Sequence, residues 1–259
     1  MGKTIAITNQ KGGVGKTTTT INLAACLAAN RHRVLLVDLD PQGNATMGSG
    51  VDKNRLDKGS SYEVVMGTLH LSEVAVSLPE AGYTLLPANG NLTAAEVELL
   101  DAKLREQRLR LALSQVREKY DFILIDCPPS LNMLTVNALV AAHAALIPIQ
   151  CEYYALEGLT ALITTIEKIR LKLNPKLRIA GLLRTMFDPR NNLANEVSGQ
   201  LLTHFREQLY TTIIPRNVRL AEAPSHGQPV LLYDRASRGA LAYLALASEM
   251  ARREASVPE

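Results

Sequence analysis

The sequence predicts one α/β domain over residues 1–259, with a mostly parallel, twisted sheet flanked by helices on both faces. Short apolar runs alternate with segments of helical periodicity along the whole chain, as βα units do. The run Phe122-Ile123-Leu124-Ile125 is continuously apolar, which is typical of a parallel strand buried on both faces. No internal repeat or low-complexity linker divides the chain, so a single domain is expected.

Seven strands and six helices are predicted from these patterns. The strands are Thr4–Thr8, Arg33–Asp38, Tyr83–Pro87, Phe122–Asp126, Ala144–Ile149, Ile179–Met186 and Thr211–Ile214. The helices are Thr17–Ala29, Thr93–Val116, Leu131–Ala142, Leu156–Leu173, Leu193–Gln208 and Ala236–Arg253. The segment Met47–Ser61 is rich in Gly, Ser, Asp and Lys, and we expect it to be a mobile surface connection.

Composition argues against a secreted or membrane-spanning protein. The longest apolar run, Ala138–Ile149, is shorter than the ~20 residues that a membrane span needs. Cys26, Cys127 and Cys151 are isolated cysteines without the spacing of a disulfide framework, which favours a reducing cytosol. The five histidines have no metal-ligand spacing, so no zinc site is expected.

The strongest local signal is a glycine-rich turn between the first predicted strand and helix, Lys11-Gly12-Gly13-Val14-Gly15-Lys16-Thr17-Thr18. Glycines let the backbone direct its N–H groups at phosphate oxygens, and the helix N-terminus adds a favourable dipole. Lys16 is expected to reach the β- and γ-phosphates, and the Thr17 hydroxyl to bind Mg²⁺. The turn therefore predicts a single-domain P-loop NTPase.

Three carboxylates follow predicted strands, where open α/β sheets bind ligands. Asp38 and Asp40 end the apolar run that starts at Val34, and Asp126 ends the run Ile123-Leu124-Ile125. Each one alone could cap a helix or end a strand, but their order behind a phosphate loop indicates a metal site. Asp40 is expected to orient the attacking water, while Asp38 supports the metal shell and Asp126 binds Mg²⁺ through water. With Thr17, these side chains form the predicted metal site.

The phosphate loop departs from the ordinary pattern, because Gln10 stands where the first glycine belongs and an additional lysine, Lys11, follows it. In this form the loop resembles that of the MinD/ParA superfamily. The resemblance implies that Lys11 crosses a dimer interface to the partner's nucleotide. A second cation there would offset charge that develops during phosphoryl transfer, so Lys11, Lys16 and Asp40 are the predicted catalytic residues.

Longer segments resemble the chromosomal ParA/Soj group over essentially the whole chain. They are Asp38-Leu39-Asp40-Pro41-Gln42-Gly43-Asn44-Ala45-Thr46, Asp126-Cys127-Pro128-Pro129-Ser130, Thr185-Met186-Phe187-Asp188-Pro189-Arg190 and the run from Ile214 to Gly227. The resemblance implies an ATP-dependent homodimer that binds double-stranded DNA without sequence preference. It also implies a ParB-like partner that stimulates hydrolysis, and a cytoplasmic, nucleoid-associated location.

The same resemblance implies site residues in the C-terminal third. Adenine contacts fall at Pro215 and Asn217, and DNA contacts at Arg184, Arg190, Arg216 and Arg219. Residues 168–259 hold 14 Lys or Arg against eight Asp or Glu, whereas residues 1–167 hold 14 against 17. A basic C-terminal third supports an acidic partner such as DNA.

Relatives with the same phosphate machinery supply the alternatives. A MinD-like ATPase would act at the membrane through a basic amphipathic C-terminal helix, but Met250–Glu259 has no large apolar face. An iron–sulfur carrier would need paired cysteines, which are absent. Metabolic ligases of this fold generally lack the Lys11-type lysine. Self-repressing plasmid ParA proteins carry an N-terminal helix-turn-helix, for which the residues before Lys11 leave no room.

Overall fold

A computed structural model describes residues 2–256. The strands are β1 (Lys3–Ile7), β2 (Val34–Asp38), β3 (Val76–Leu78), β4 (Tyr83–Leu86), β5 (Phe122–Asp126), β6 (Ala144–Gln150) and β7 (Arg178–Thr185). The helices are α1 (Lys16–Ala29), α2 (Asn44–Gly48), α3 (Ser61–Met66), α4 (Leu71–Val74), α5 (Leu92–Glu98), α6 (Arg108–Ser114), α7 (Met133–Ala141), α8 (Ala155–Lys172), α9 (Asn192–Phe205), α10 (Val218–Glu222), α11 (Val230–Tyr233) and α12 (Arg238–Ala255).

The seven strands form one sheet in the order β3-β4-β2-β5-β1-β6-β7. All neighbouring pairs are parallel except β3 with β4, at the edge. One face packs against α1 and α12, and the other packs against α7, α8 and α9, which gives the sheet two separate apolar layers. The predicted α/β fold with helices on both faces is confirmed.

The predicted strand Thr211–Ile214 is wrong, although the segment runs beside β7. Tyr210 N donates to the Leu182 carbonyl and Ile214 N to the Arg184 carbonyl, but the residues between them leave the sheet. Their amides, Thr211 N and Thr212 N, each donate at 2.9 Å to a carboxylate oxygen of Glu249 on α12. The carboxylate of Glu249 thus accepts the backbone N–H groups that would otherwise be available to a continuous β-ladder with β7. The short antiparallel strand β3 was not predicted.

The predicted helix Thr93–Val116 is divided into α5 and α6. Leu104 between them adopts a left-handed backbone (φ 54°), which ends regular helix. Asn137 of α7 satisfies polar groups around the break, since its Oδ1 accepts from Leu109 N (3.1 Å) and its Nδ2 donates to the Arg105 carbonyl (2.7 Å). Helical periodicity continued through this break because both pieces bury apolar residues on the same layer.

Much of Met47–Ser61 is irregular, as expected for a connection, but both ends are buried. Tyr83 Oη donates to Ser49 Oγ at 2.8 Å. Ser60 caps α3 through a reciprocal capping box with Glu63. The segment is therefore fastened to the domain at both ends, and its predicted mobility stays a prediction.

His143 closes the turn between α7 and β6 as a neutral ring. Its Nδ1 accepts a hydrogen bond from Thr4 N at 2.8 Å, at the start of β1. Burial, followed by the charges of Arg117 and Lys3, lowers the pKa of His143 to about 4. An unfolded histidine titrates near ~6.5, so the unfolded chain takes up a proton at a pH where the folded chain does not.

We therefore expect the free energy of unfolding to decrease as the pH falls from about 6.5 to about 4. The contribution of His143 is complete above that window and amounts to about 2 kcal/mol after allowance for solvent screening of a partly exposed ring. The variant His143→Asn offers Oδ1 to Thr4 N but does not titrate. Urea unfolding of both proteins across this window measures the difference, and a wild-type-minus-variant difference independent of pH would contradict the assignment.

Candidate nucleotide-binding site

A cleft of about 600 Å³ opens at the carboxyl edge of the sheet. The phosphate loop and α1 form one wall, and the segment after β7 together with α10 forms the other. Its lining includes Gly12, Gly13, Gly15, Lys16, Thr17, Thr18, Asp40, Gln42, Asn44, Pro129, Thr185, Met186, Ile214, Pro215, Arg216, Asn217, Val218, Leu220, Ala221 and Tyr243. The fold thus brings together residues that lie about 200 positions apart in sequence.

The phosphate loop has the backbone that its glycines permit. Gly13 (φ 74°) and Gly15 (φ 86°) occupy the left-handed region, where a side chain would be strained. Gly15 precedes α1 directly, and within residues 2–256 no side chain caps the first turn of that helix. The first N–H groups of α1 therefore remain available to an anion at its positive end.

Lys16 is folded beneath the loop. Its side chain is largely buried, and Nζ donates to the Lys11 carbonyl at 3.0 Å. Burial lowers the pKa of Lys16, while the nearby carboxylate of Asp126 works in the opposite direction. An ammonium that donates to one carbonyl and forms no salt bridge in the described structure is suited to a phosphate ligand.

Asp126 lies directly behind the start of α1. Its Oδ2 accepts from Thr17 Oγ1 at 2.7 Å and its Oδ1 from Thr20 Oγ1 at 3.0 Å. Burial, and then repulsion from Asp38 on the neighbouring strand, raise the pKa of Asp126 to about 8. A divalent cation would relieve both effects, so Thr17 and Asp126 fit a magnesium site.

Asp40 and Asp38 have different surroundings although both follow β2. Asp40 lines the cleft, and its Oδ1 accepts from Gln42 N at 2.9 Å. Asp38 is fully buried, and its Oδ2 accepts from both the amide and the hydroxyl of Thr46 at 2.7 Å. Burial raises the pKa of Asp38 to about 6.

The place of Asp38 in the metal shell stays a prediction, and the structure gives this residue a further role. Its Oδ1 also accepts from Asp40 N at 3.2 Å, so both carboxylate oxygens already serve as backbone anchors for the loop that carries Asp40. In the described chain, no three His, Cys, Asp or Glu side chains lie close enough to hold a metal by themselves. Thr17 and Asp126 would therefore bind Mg²⁺ together with waters and phosphate oxygens, as magnesium sites usually do.

The far end of the cleft fits a purine base. Pro215 and Asn217 both line it, at the start of α10. Asn217 Oδ1 is buried and has no hydrogen-bond partner in the described structure. A buried acceptor without a donor is costly, and an exocyclic amine such as that of adenine would satisfy it. Six residues of the phosphate loop and α1 thus face the same space as Pro215 and Asn217, and that space suits ATP: Gly12, Gly13, Gly15, Lys16, Thr17 and Thr18. Val14, also a predicted cofactor residue, is buried and does not line the cleft.

Lys11, a predicted cofactor residue, is not among the residues that line the cleft of its own chain. Its Nζ lies 2.5 Å from Glu152 Oε2, and both side chains are nearly half exposed. Gly12, next to it, is open: a Cβ built there would meet no atom within 4 Å. Nothing in the sequence singled out Glu152, because a lone carboxylate after a strand carries no motif.

The structure also corrects one of the four predicted DNA contacts. Arg184 is buried, and its guanidinium donates to Ser198 Oγ (2.9 Å) and to the Tyr210 carbonyl (3.2 Å). It stabilises the packing between β7 and α9 and cannot reach a surface ligand. A position inside a predicted buried strand was the signal that pointed to this role.

The other three predicted DNA contacts are exposed. Arg190 forms a bidentate pair with Asp188, at 2.9 and 2.7 Å. That hydrogen bonding, with a further contribution from the charge of Arg216, lowers the pKa of Asp188 to about 2, so the three charges are neighbours. Arg219 pairs with Glu222 (2.7 Å) and Asp234 (3.3 Å).

Comparison with known proteins assigns the chain to a family. Residues 2–179 match the family model described as an AAA domain. Soj of Bacillus subtilis, a sporulation initiation inhibitor protein, is 51% identical over 251 residues, which cover 97% of this chain and 99% of Soj. The chain belongs to the ParA/Soj family. The chromosome partitioning protein ParA of Caulobacter vibrioides is 50% identical over 254 residues, covering 97% of this chain and 95% of ParA.

Solved structures agree with this membership. Cobyrinic acid a,c-diamide synthase from Mycobacterium smegmatis, with bound ADP and magnesium, superposes with a TM-score of 0.86 at 37% identity, covering 99% and 96% of the two chains. The cell division ATPase MinD of Pyrococcus furiosus superposes with a TM-score of 0.80 at 26% identity, covering 97% of this chain and 99% of MinD. The predicted ParA/Soj resemblance, the ATPase class and the ATP and Mg²⁺ cofactors are confirmed by these relatives. As a ParA/Soj member, the protein is a chromosome-partitioning ATPase.

Proposed function

We propose that this ATPase segregates DNA by an ATP-dependent switch. Two nucleotide-bound copies form a sandwich dimer that binds double-stranded DNA without sequence preference, and a ParB-like partner stimulates hydrolysis and release. One observation carries the proposal: Arg216, next to the exposed arginines, lines the same cleft as the phosphate loop. Occupation of the cleft and the shape of the basic surface are therefore linked through one short segment, Ile214–Ala221.

Within one chain, the cleft residues provide binding and orientation. Lys16 and the N-terminal amides of α1 would hold the phosphates, and Thr17 and Asp126 would hold Mg²⁺, which would shield the charge of the phosphates. Asp40, anchored through Gln42 N, would accept a hydrogen bond from the attacking water. Its buried neighbour Asp38 keeps that loop in place.

The dimer part of the proposal rests on Lys11 and Gly12. The Lys11–Glu152 ion pair is exposed, and such pairs contribute only about 0–1 kcal/mol, so a partner's phosphates can readily replace Glu152. Gly12 leaves a flat surface beside it, which allows a second copy to approach closely. Lys11 would then complete the partner's site.

DNA binding would depend on Arg190, Arg216 and Arg219. The acidic partners of Arg190 and Arg219 are also exposed, so exchange for DNA phosphates costs little. One chain offers few such cations, and a dimer doubles them on a single particle. Phosphate contacts carry no base information, which accounts for binding without sequence preference.

The C-terminal helix favours DNA over a membrane as the surface on which the protein acts. One apolar face of α12, with Tyr243, Leu246 and Met250, is buried in the layer that also contains α1, and Leu241 is an exposed apolar residue of this helix. An interfacial helix would need that face for lipid. No helix among residues 2–256 combines the length and apolarity of a membrane span. We place the protein in the cytoplasm, on the nucleoid, with a ParB-like centromere-binding partner.

The decisive experiment reverses the charge of Arg190 or Arg219. Arg190→Glu and Arg219→Glu should each reduce ATP-dependent DNA affinity at least about tenfold and equally for unrelated sequences. Each change removes one contact per copy, so the slope of log K against log salt should become shallower by about 1.8 units in a dimer. A salt titration of DNA binding with ATP and with ADP measures both effects.

Arg33→Glu is the matched control. Arg33 is an exposed arginine paired with Asp121, and both residues lie at the amino ends of β2 and β5, on the side of the sheet opposite the cleft. It should leave DNA binding unchanged, and all three variants should still bind ATP and dimerise. Equal DNA affinity with ATP and ADP would overturn the switch. ATP-dependent sedimentation with anionic liposomes without DNA retention would favour the MinD-like alternative.

A further inference from the structure

Thr185, the last residue of β7, joins the phosphate loop to the opposite wall of the cleft. It is buried, and its Oγ1 donates to the Val14 carbonyl at 2.8 Å. Val14 lies between the left-handed glycines Gly13 and Gly15, whose amides belong to the phosphate-binding side of the loop. The hydrogen bond therefore fastens the outer side of the loop to the end of β7.

Contact between the two segments is close as well as polar. A Cβ built on Gly15 would lie 3.8 Å from Thr185 Cβ, which is ordinary van der Waals distance. Val14 itself is buried, so we expect a shift of the outer side of the loop to press on Thr185. Any rearrangement of the loop around phosphate is thus transmitted to the end of β7.

The chain beyond Thr185 is held in an unusual conformation. Met186 has a left-handed backbone (φ 48°), which is uncommon for a residue other than glycine, and it lines the cleft. Phe187 N donates to the Ile214 carbonyl at 3.0 Å, and Arg216 N donates to the Phe187 carbonyl at 3.1 Å. The segment after β7 and the segment Ile214–Arg216 are therefore clamped together.

These two segments carry the exposed arginines. Asp188 and its partner Arg190 follow Phe187 by one and three residues, and Arg219 follows Arg216 by three. A continuous path of bonded neighbours thus runs from the Val14 carbonyl through Thr185 and Phe187 to the arginine surface. We propose that Thr185 is a positioning residue that transmits the nucleotide state of the phosphate loop to the DNA-binding arginines.

This proposal rests on the proposed function, and it names a residue that adds to the effect of dimerisation on the difference between the DNA affinities with ATP and with ADP. Thr185→Val keeps the shape of the side chain but removes the donor to Val14. We expect the ratio of DNA affinities with saturating ATP and saturating ADP to fall about tenfold or more, as for loss of one buried hydrogen bond. Thr185→Ser keeps the hydroxyl and should restore the wild-type ratio.

Thr212→Val is the matched control. Thr212 Oγ1 donates to Glu249 at 2.7 Å, so this change also removes a bonded threonine hydroxyl near β7, in the segment that leads to Ile214, but not one bonded to the phosphate loop. Its ratio should equal that of the wild type. A wild-type ratio in Thr185→Val, or an equal fall in Thr212→Val, would overturn the proposal while leaving the ATP-dependent switch intact.

Hydrogen exchange on the unmodified protein gives an independent measurement. The amides of Phe187 and Arg216 should exchange more slowly with a non-hydrolysable ATP analogue than with ADP, because the clamp tightens with the loop. Identical exchange in both states would overturn the proposal even if Thr185→Val fails to fold. If the wild-type protein binds DNA equally well with ATP and with ADP, the proposed function itself fails. That outcome is seen in the wild type alone, so it is distinct from failure of the Thr185 proposal, which is seen in the comparison of the variants with the wild type.

Discussion

Lys16→Ala should lose ATP binding and, with it, every activity that depends on nucleotide. The ammonium is buried beside the phosphate loop and bonds within the described chain to the Lys11 carbonyl. Hydrogen bonds between a charged donor and phosphate contribute about 1.5–3 kcal/mol each, so the loss of the lysine should weaken ATP binding at least about 100-fold. Titration of a fluorescent ATP analogue measures the affinity directly.

The free protein should tolerate this change. Removal of a desolvated ammonium leaves one carbonyl without its donor, so the free energy of unfolding should change by no more than about 2 kcal/mol without nucleotide. The rise in melting temperature that ATP gives to wild type should be absent. Lys11→Ala is the control: it should keep the ATP affinity of the monomer and lose dimerisation. Unchanged ATP affinity in Lys16→Ala would contradict the phosphate-loop assignment.

Asp40→Ala should bind ATP with near wild-type affinity, hydrolyse it at least about 100-fold more slowly and accumulate as a dimer. Residues that position or activate an attacking water contribute about 10²–10⁴ in rate. Asp40 lines the cleft, whereas Asp126 is the carboxylate that accepts the hydrogen bond of Thr17. Steady-state phosphate release gives the rate, and size-exclusion chromatography with ATP and Mg²⁺ gives the dimer fraction.

Gly12→Val separates dimerisation from binding in the same assay. A Cβ added at Gly12 meets no atom within 4 Å apart from those of the adjacent residues, so the monomer should fold and bind ATP normally. A facing phosphate loop would collide with it, so this variant should remain monomeric with ATP. A monomeric Asp40→Ala protein, or a dimeric Gly12→Val protein, would contradict the sandwich arrangement.

Local chemistry was sufficient to predict the phosphate loop, six of the seven strands and the long helices. A glycine-rich run between an apolar strand and a helix indicates a tight turn, and Gly13 and Gly15 of this loop adopt the left-handed backbone that such a turn needs. Strands such as β5, buried on both faces, need continuous apolar residues, so Phe122–Asp126 was located to the residue. These features depend on neighbours in sequence, which a pattern can record.

Tertiary structure alone decided which polar side chains face the cleft. Asp38 and Asp40 are two residues apart after one strand, yet Thr46 turns Asp38 into a backbone anchor. Arg184 and Arg190 lie on one segment, yet β7 buries the first and ends before the second. The bond from Thr185 to Val14 spans 171 residues. Burial and long-range hydrogen bonds depend on which elements become neighbours in space, and no local pattern of residue types carries that information.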